Sequence, residues 1–495
     1  MAPDLYLGLD IGTSSSKAVL VSSSGAVVAS TSRPHGVSTP YPGHFEHDAE
    51  AVWWGDARAL IREILAGRDG RGIAAVGVSG IGPVVLVADG DGRPLRPAIL
   101  YGIDTRATRE IDDLTTRFGE STLVRVCGNR LTTQAVGPKV LWIRRHEPAV
   151  WARTRRWFLS SAYLVFRLTG EYVADHYSAS ASDPLYDLRA RTWWAEAWDE
   201  IAPSVERPRL AWPGEVVGSV APDASAQTGL RAGTPVIAGT IDALAEAYGA
   251  GCSEVGDTMV MYGSTLFLIQ TVAAPTVHPA LWAATGRTPS TYSLAAGMAT
   301  SGILTSWFSD LVGGDIATLM EGAARVPPGS AGLVLLPYFA GERTPLFDPD
   351  ARGCWLGLTL HHGREHLFRS ILEGVAFGVR HNVETMAEAG ASPTRLFAVG
   401  GGTRGDVWVQ IVSDVTQVPQ LVPSITIGAA YGDARMAAEA MGVDTSAWNP
   451  IVRTVLPEAA TRSVYDTLYA IYRRAYARLR EDLHILAGLS AGREP

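Results

Sequence analysis

Hydrophobic and polar positions fall into short, legible periods along the chain. It opens Leu5-Tyr6-Leu7-Gly8-Leu9-Asp10-Ile11-Gly12-Thr13-Ser14-Ser15-Ser16-Lys17-Ala18-Val19-Leu20-Val21. An apolar run enters an Asp, a glycine and four hydroxyl residues turn the chain, and a second apolar run leaves. The pattern predicts a strand, a tight turn and an antiparallel strand, within a meander over residues 5–33. A helix is expected over 49–66, with Asp48 as its N-cap. Strands follow at 73–78 and 84–87, the latter turned by Asp89-Gly90-Asp91-Gly92. Residues 105–212 carry mostly helical periods rich in Trp and Arg, and the tryptophans read as packing. A strand ends at Gly239 and a small-residue helix starts near Asp242.

Near mid-chain the opening plan recurs: Asp257-Thr258-Met259-Val260-Met261-Tyr262-Gly263-Ser264-Thr265-Leu266-Phe267-Leu268-Ile269. The likeness is of pattern, not identity, and it suggests a duplicated domain with both hairpins facing one cleft. Beyond it, a long helix over 364–388, a strand at 396–399 and a helix over 406–416 are expected. A small-residue helix at 428–441 and a charged terminal helix complete the chain.

The hairpins bring in candidate chemistry. Gly12 has no Cβ and lets backbone approach a ligand. Thr13, Ser14 and Ser15 offer hydroxyls and N–H groups suited to phosphate oxygens, and Lys17 could neutralise their charge. Asp10 is a carboxylate placed to hold a hard cation such as Mg²⁺. An ordinary hairpin with a Ser-rich turn is the competing reading of the first stretch alone. Glu46 and Asp48 read first as capping and solvated groups, and Asp104 as a helix cap. Asp242 at a helix start is ordinarily a cap too, but it also stands at a strand end, where an α/β cleft lies.

Composition narrows the class. The chain has 495 residues, enough for two or more domains, with 47% hydrophobic and 19% charged residues. Net charge is −8 with no basic patch, which argues against nucleic acid as the main partner. The three cysteines, Cys127, Cys252 and Cys354, are far apart, which fits a reducing cytoplasm and excludes a disulfide scaffold. No signal peptide and no membrane-spanning run are expected. Gly400-x-Gly402-x-x-Gly405 matches a dinucleotide fingerprint between strand and helix. The acidic residue expected about 20 positions on is missing around Gln420-Leu421-Val422-Pro423-Ser424-Ile425, so a glycine turn against an adenosine is the better reading.

The order of these features resembles the FGGY carbohydrate kinases, within the actin, sugar kinase and Hsp70 superfamily. Gly341-Glu342-Arg343-Thr344-Pro345, Asp348-Pro349-Asp350-Ala351-Arg352-Gly353 and Arg369-Ser370-Ile371-Leu372-Glu373-Gly374-Val375-Ala376 resemble its xylulose-kinase branch. The resemblance implies an α/β fold of two ribonuclease H-like domains with a central cleft, spanning 1–246 and 247–495, with ATP and Mg²⁺ as cofactors and a small sugar beneath. It implies Asp242 as general base and Asp10 as organiser of Mg²⁺. Thr13, Ser14, Ser15, Lys17, Gly263 and Ser264 would hold phosphates, while Gly401, Gly402 and Asp406 would line the adenosine pocket. Glu46 and Asp104 would contact or border the sugar. A homodimer is the assembly common in the family, with no interface legible here. The branch has Gln-Met-His-Gly where this chain has Ile81-Gly82-Pro83-Val84, so the sugar stays open: D-xylulose first, with ribulose, L-xylulose and erythritol as alternatives. An ATP-binding sensor without a sugar and an NAD-binding oxidoreductase are the rival classes.

Overall fold

The computed structural model describes residues 5–68 and 70–490. Both halves build a seven-stranded sheet on the same plan. In the first, Leu5–Ile11, Ser15–Ser22 and Val27–Pro34 form an antiparallel meander. Ile73–Gly80 then runs parallel to Leu5–Ile11, Pro235–Ile237 parallel to Ile73–Gly80, and Val216–Ser219 closes that edge antiparallel. In the second, Asp257–Tyr262, Leu266–Val272 and Tyr292–Met298 form the meander. Arg395–Val399 and Gln420–Pro423 follow in parallel, and Ile451–Val455 closes the edge antiparallel. The duplication legible in two hairpins therefore extends through six strands of each sheet. The central parallel strand Ile73–Gly80 is apolar or small almost throughout because both its faces are covered.

Two helices of small residues join the halves. Ala429–Ala440 follows the last parallel strand of the second sheet, yet it lies on the first. Its backbone comes so close that a Cβ on Gly8 would stand 1.8 Å from the Ala430 carbonyl oxygen, and one on Gly77 2.3 Å from that of Asp433. Asp242–Gly249 packs against it through Gly249 and Gly432. On its other side, Leu244 and Ala247 share a core with Met259, Ile269, Phe397 and Val399 of the second sheet. The cleft opens where these two helices begin.

Several expected elements shift. The helix expected over 49–66 opens with a wide π turn, Ala49–Trp54, before the α-helix Gly55–Ile64. Asp48 caps it, accepting from the Glu50 and Ala51 N–H groups at 2.9 Å. The strand expected at 84–87 is Leu86–Ala88, preceded by an isolated antiparallel bridge from Val85 to Ile99. Asp104 does not cap the following helix, which starts at Thr108 with Ala107 at its cap; its carboxylate is taken by Arg106 instead. Trp157, Trp193 and Trp198 pack against one another in the core of the first half.

Candidate functional site

The two hairpin turns are built alike. The Gly12 N–H donates to the Ser15 carbonyl at 2.9 Å, and the Gly263 N–H to that of Thr265 at 3.1 Å. A Cβ on Gly12 would stand 2.8 Å from the Ser15 oxygen, so the turn requires glycine. At each tip the hydroxyl residues, Ser14 and Ser15 in one and Ser264 and Thr265 in the other, are exposed. The Ser264 carbonyl accepts from the N–H groups of Ser301 (3.0 Å) and Ile303 (3.1 Å), which ties the second turn to the helix Gly302–Val312. Thr13 lies 3.0 Å, Oγ1 to Oη, from Tyr101.

A cavity of about 300 Å³ lies between the halves. Asp10, Lys17, Asp242 and Glu246 line it from the first sheet and its helix. Gly400, Gly401 and Arg404 line it from the late glycine turn, and Thr426, Ile427, Gly428 and Ala429 from the loop entering the small-residue helix. Gly400 has φ +90°, and a Cβ there would meet the Tyr262 carbonyl at 2.7 Å, so the turn lies flat against the second sheet. The Lys17 ammonium donates to the Ile427 carbonyl at 2.5 Å, bridging the halves, and keeps further N–H groups for a ligand. A larger open concavity, about 720 Å³, is lined by Glu120, Arg125 and Arg189 among others and holds none of the expected site residues.

The cavity is acidic and poor in compensating charge. Burial raises the Asp10 carboxyl to about 6 against the opposing pull of Lys17. Burial, then the neighbouring Asp10, pushes Asp242 well above the carboxylate range. Glu246 rises to about 7 for the same two reasons. Behind them Asp433 is fully buried and accepts from the Ser79 hydroxyl at 2.6 Å; burial holds it well up. Acids crowded in low dielectric around one ammonium favour taking up protons or a cation. Among the described residues no group of three or more His, Cys, Asp or Glu could cage a metal by itself.

The remaining expected residues sit outside that lining. A Cβ on Gly402 would meet the Tyr262 Cβ at 2.8 Å and the Trp408 ring at 3.1 Å, so this glycine serves close packing of the turn. Asp406 begins the helix Asp406–Thr416, 89% exposed at its side chain, and pairs with Arg453. Glu46 and Asp104 form a buried network with two arginines. Arg106 donates to Glu46 at 2.7 Å and to Asp104 at 2.8 Å, Arg96 also pairs with Glu46, and the Trp142 ring lies 5.0 Å from the Arg106 guanidinium. Glu46 is thus internally satisfied rather than solvated, and Asp104 is a buried ion-pair partner rather than a cap. Residues 81–84 pack beside the base candidate: a Cβ on Gly82 would stand 2.5 Å from Ile241, which precedes Asp242.

Glu246, Asp433, Arg404 and residues 426–429 were not singled out from the sequence. Glu246 lies four positions after Asp242 on one helix, which puts both on one face. A charged Asp433 inside an otherwise Ala/Gly-rich helix was the other available signal.

Comparison with known proteins bears on this geometry. The model of the FGGY family of carbohydrate kinases matches in both parts, its N-terminal domain at residues 5–249 and its C-terminal domain at 258–441. The chain is 31% identical over 493 residues to a xylulose kinase of Klebsiella pneumoniae, covering 96% of this chain and 98% of the relative. It is 30% identical to a glycerol kinase of Nocardia farcinica, covering 88% of this chain and 89% of the relative. The crystal structure of a xylulose kinase from Rhodospirillum rubrum superposes with a TM-score of 0.90 at 35% identity, covering 97% of this chain and 100% of that one. With a duplicated fold, a cavity between the two halves and matches along nearly its whole length, the chain belongs to the FGGY family of carbohydrate kinases.

Proposed function

We propose that this carbohydrate kinase transfers the γ-phosphoryl group of ATP to the terminal hydroxyl of a ketopentose, D-xylulose first, with Asp242 as general base. The observation that carries the reading is the single cavity lined by Asp242, Asp10 and Lys17 from one half and by Gly400 and Gly401 from the other. Asp242 takes the proton of the sugar hydroxyl. The oxygen bonds to the γ-phosphorus, the bond from that phosphorus to the bridging oxygen breaks, and ADP leaves with the electron pair. Such transfers need alignment and charge neutralisation more than covalent help. Lys17 and the hydroxyls and N–H groups of Thr13, Ser14 and Ser15 hold phosphate oxygens from one side. Gly263 and Ser264 hold them from the other, and Gly401 and Gly402 keep the adenosine wall free of side chains. Asp406 borders the adenosine, and Glu46 and Asp104 stiffen the sugar side through Arg106.

Mg²⁺ suits this donor set. Asp10, a half-buried carboxylate beside an ammonium, with no protein cage among the described residues, matches an ion that keeps waters and takes substrate oxygens as its other ligands. When bound, it would neutralise phosphate charge.

D-xylulose stands first because the nearly full-length similarity includes xylulose kinases from several bacteria. The apolar residues 81–84 beside Ile241 leave the sugar's discrimination to other contacts, and the glycerol kinase relative keeps smaller polyols in the comparison. The test is ADP release from Mg-ATP against D-xylulose, D-ribulose, L-xylulose, L-ribulose, glycerol and erythritol. The expected outcome is the highest kcat/KM on D-xylulose. A higher value on another member moves the substrate and keeps the mechanism; ATP binding with no sugar-dependent turnover on any member rejects the reading.

A further inference from the structure

Beneath the first hairpin lies a group that the phosphoryl transfer above does not use. His35 directly follows the strand Val27–Pro34, and its ring turns under the turn at Gly12. Nε2 is 3.1 Å from the Gly12 carbonyl oxygen, and Nδ1 is 2.9 Å from Asp56 Oδ2. A carbonyl and a carboxylate are acceptors only, and a neutral imidazole has one N–H. With a side chain only 7% exposed, water cannot stand in for either partner. Nδ1 also lies 3.3 Å from the Ser16 hydroxyl, but that hydroxyl gives its one proton to Asp56 Oδ2 at 2.8 Å, so the two ring contacts are satisfied together by the imidazolium.

The surroundings support a charge there. Asp56, on the helix Gly55–Ile64, also accepts from the Ser16 hydroxyl at 2.8 Å and pairs with Arg33 at 3.0 Å. The His35 N–H donates to the Ser14 carbonyl at 2.9 Å, so ring and backbone together grip both ends of the hairpin tip. The charged and titratable groups facing the ring are Asp56, Arg33, His47 and, across the hairpin, Asp10. His47 stands edge-on with ring centroids 5.2 Å apart. Its Nδ1 accepts from the Trp53 indole at 3.1 Å, and burial holds it down to about 4, so it is the neutral member of the pair.

We infer that His35 is a buried imidazolium that positions the first hairpin and sets a positive charge behind the phosphates bound there. The inference rests on the reading of that hairpin as a phosphate site. It makes His35 a positioning residue, acting through the Gly12 carbonyl and its own field rather than by touching substrate.

The test combines two measurements. Ring ¹⁵N shifts of the wild-type protein at neutral pH should show both His35 nitrogens protonated. Calorimetric titration with Mg-ADP and with adenosine should then compare wild type, His35→Gln and Lys17→Met. The expected result for His35→Gln is about tenfold weaker Mg-ADP binding, as for loss of a charged partner, with adenosine unchanged. A neutral ring in the wild type overturns the inference even if the variant does not fold. So does equal loss for Mg-ADP and adenosine, which marks a merely structural role. Loss in Lys17→Met with none in His35→Gln rejects His35 and leaves the phosphate reading standing; no loss in either rejects both.

Discussion

Asp242 shows how one side chain can hold two meanings. A carboxylate opening a helix is ordinarily a cap, but Ile241 holds the cap position here, and among the described residues Asp242 Oδ1 accepts only from its neighbour, the Ala243 N–H, at 2.7 Å. Its burial beside Asp10 gives it a raised proton affinity, which suits a base working near neutral pH. Asp242→Asn keeps the shape and removes the proposed base, so kcat should fall by about 10²–10⁴-fold with the melting curve unchanged; near-normal turnover in the folded variant would exclude Asp242. Glu342, in the Gly-Glu-Arg-Thr-Pro segment, has a different task. It is 6% exposed and accepts from the N–H groups of Ala299 (2.8 Å) and Arg343 (2.7 Å). Burial raises its carboxyl from 4.5 to about 8. The folded chain thus binds this proton more tightly than the unfolded one. The contribution to stability is complete below the unfolded value and is lost as pH rises through about 8. Glu342→Gln retains an acceptor without the ionisation. Its urea midpoint should therefore gain on the wild type between about pH 5 and about pH 8.5. A constant difference across that range would show that Glu342 titrates normally.

At the scale of elements, the helix Ala429–Ala440 is the joint of the molecule. Its sequence of Ala and Gly looks weakly amphipathic, and the reason is contact on several sides. A Cβ on Gly432 would lie 1.8 Å from the Ala245 carbonyl, backbone that cannot swing aside, whereas a Cβ on Gly36 would meet nothing within 4 Å. Gly432→Ala should cost about 1–3 kcal/mol or more by overpacking, while Gly36→Ala should fall within about 0.5 kcal/mol of wild type. Urea unfolding of the two variants side by side checks this; equal stability would mean that the two helices separate freely. The joint also carries the proposed site, since Asp242 and Glu246 ride on one helix and Asp433 on the other. A substitution that parts these helices should reduce turnover along with stability.

For the whole molecule, this helix pair joins the two sheets, and the cavity lined by Asp10, Asp242 and Gly400 lies between them. Such a joint permits the halves to rock together over substrates, which would exclude water from the phosphoryl group. Small-angle scattering should therefore show a smaller radius of gyration with sugar and a non-hydrolysable ATP analogue together than with neither; an unchanged radius would argue for a cleft already closed. Bound ligand should stabilise the fold as well, by about 2.7 kcal/mol at 100 times its dissociation constant. Among the described residues no helix is long and apolar enough to cross a membrane.

The sequence by itself determined the local chemistry and the plan of each half. Alternation of apolar residues defined the two hairpins, Gly12 and Gly263 marked their turns, and the helices at Arg364–Glu388 and Asp406–Thr416 were legible to the residue. These are short-range properties, set by backbone sterics and by the periods of strand and helix, so neighbouring residues suffice to read them. What only the tertiary structure decided was company. Glu246 and Asp433 joined the cavity because two helices distant in sequence pack through glycines. Asp104 turned from an expected cap into a partner of Arg106 because folding brought Phe45, Glu46 and Arg96 around it. His35 gained two acceptors from residues 21 and 23 positions away. Burial, charge crowding and proton affinity depend on which side chains share a low-dielectric space, and that sharing is a property of the fold rather than of any stretch of chain.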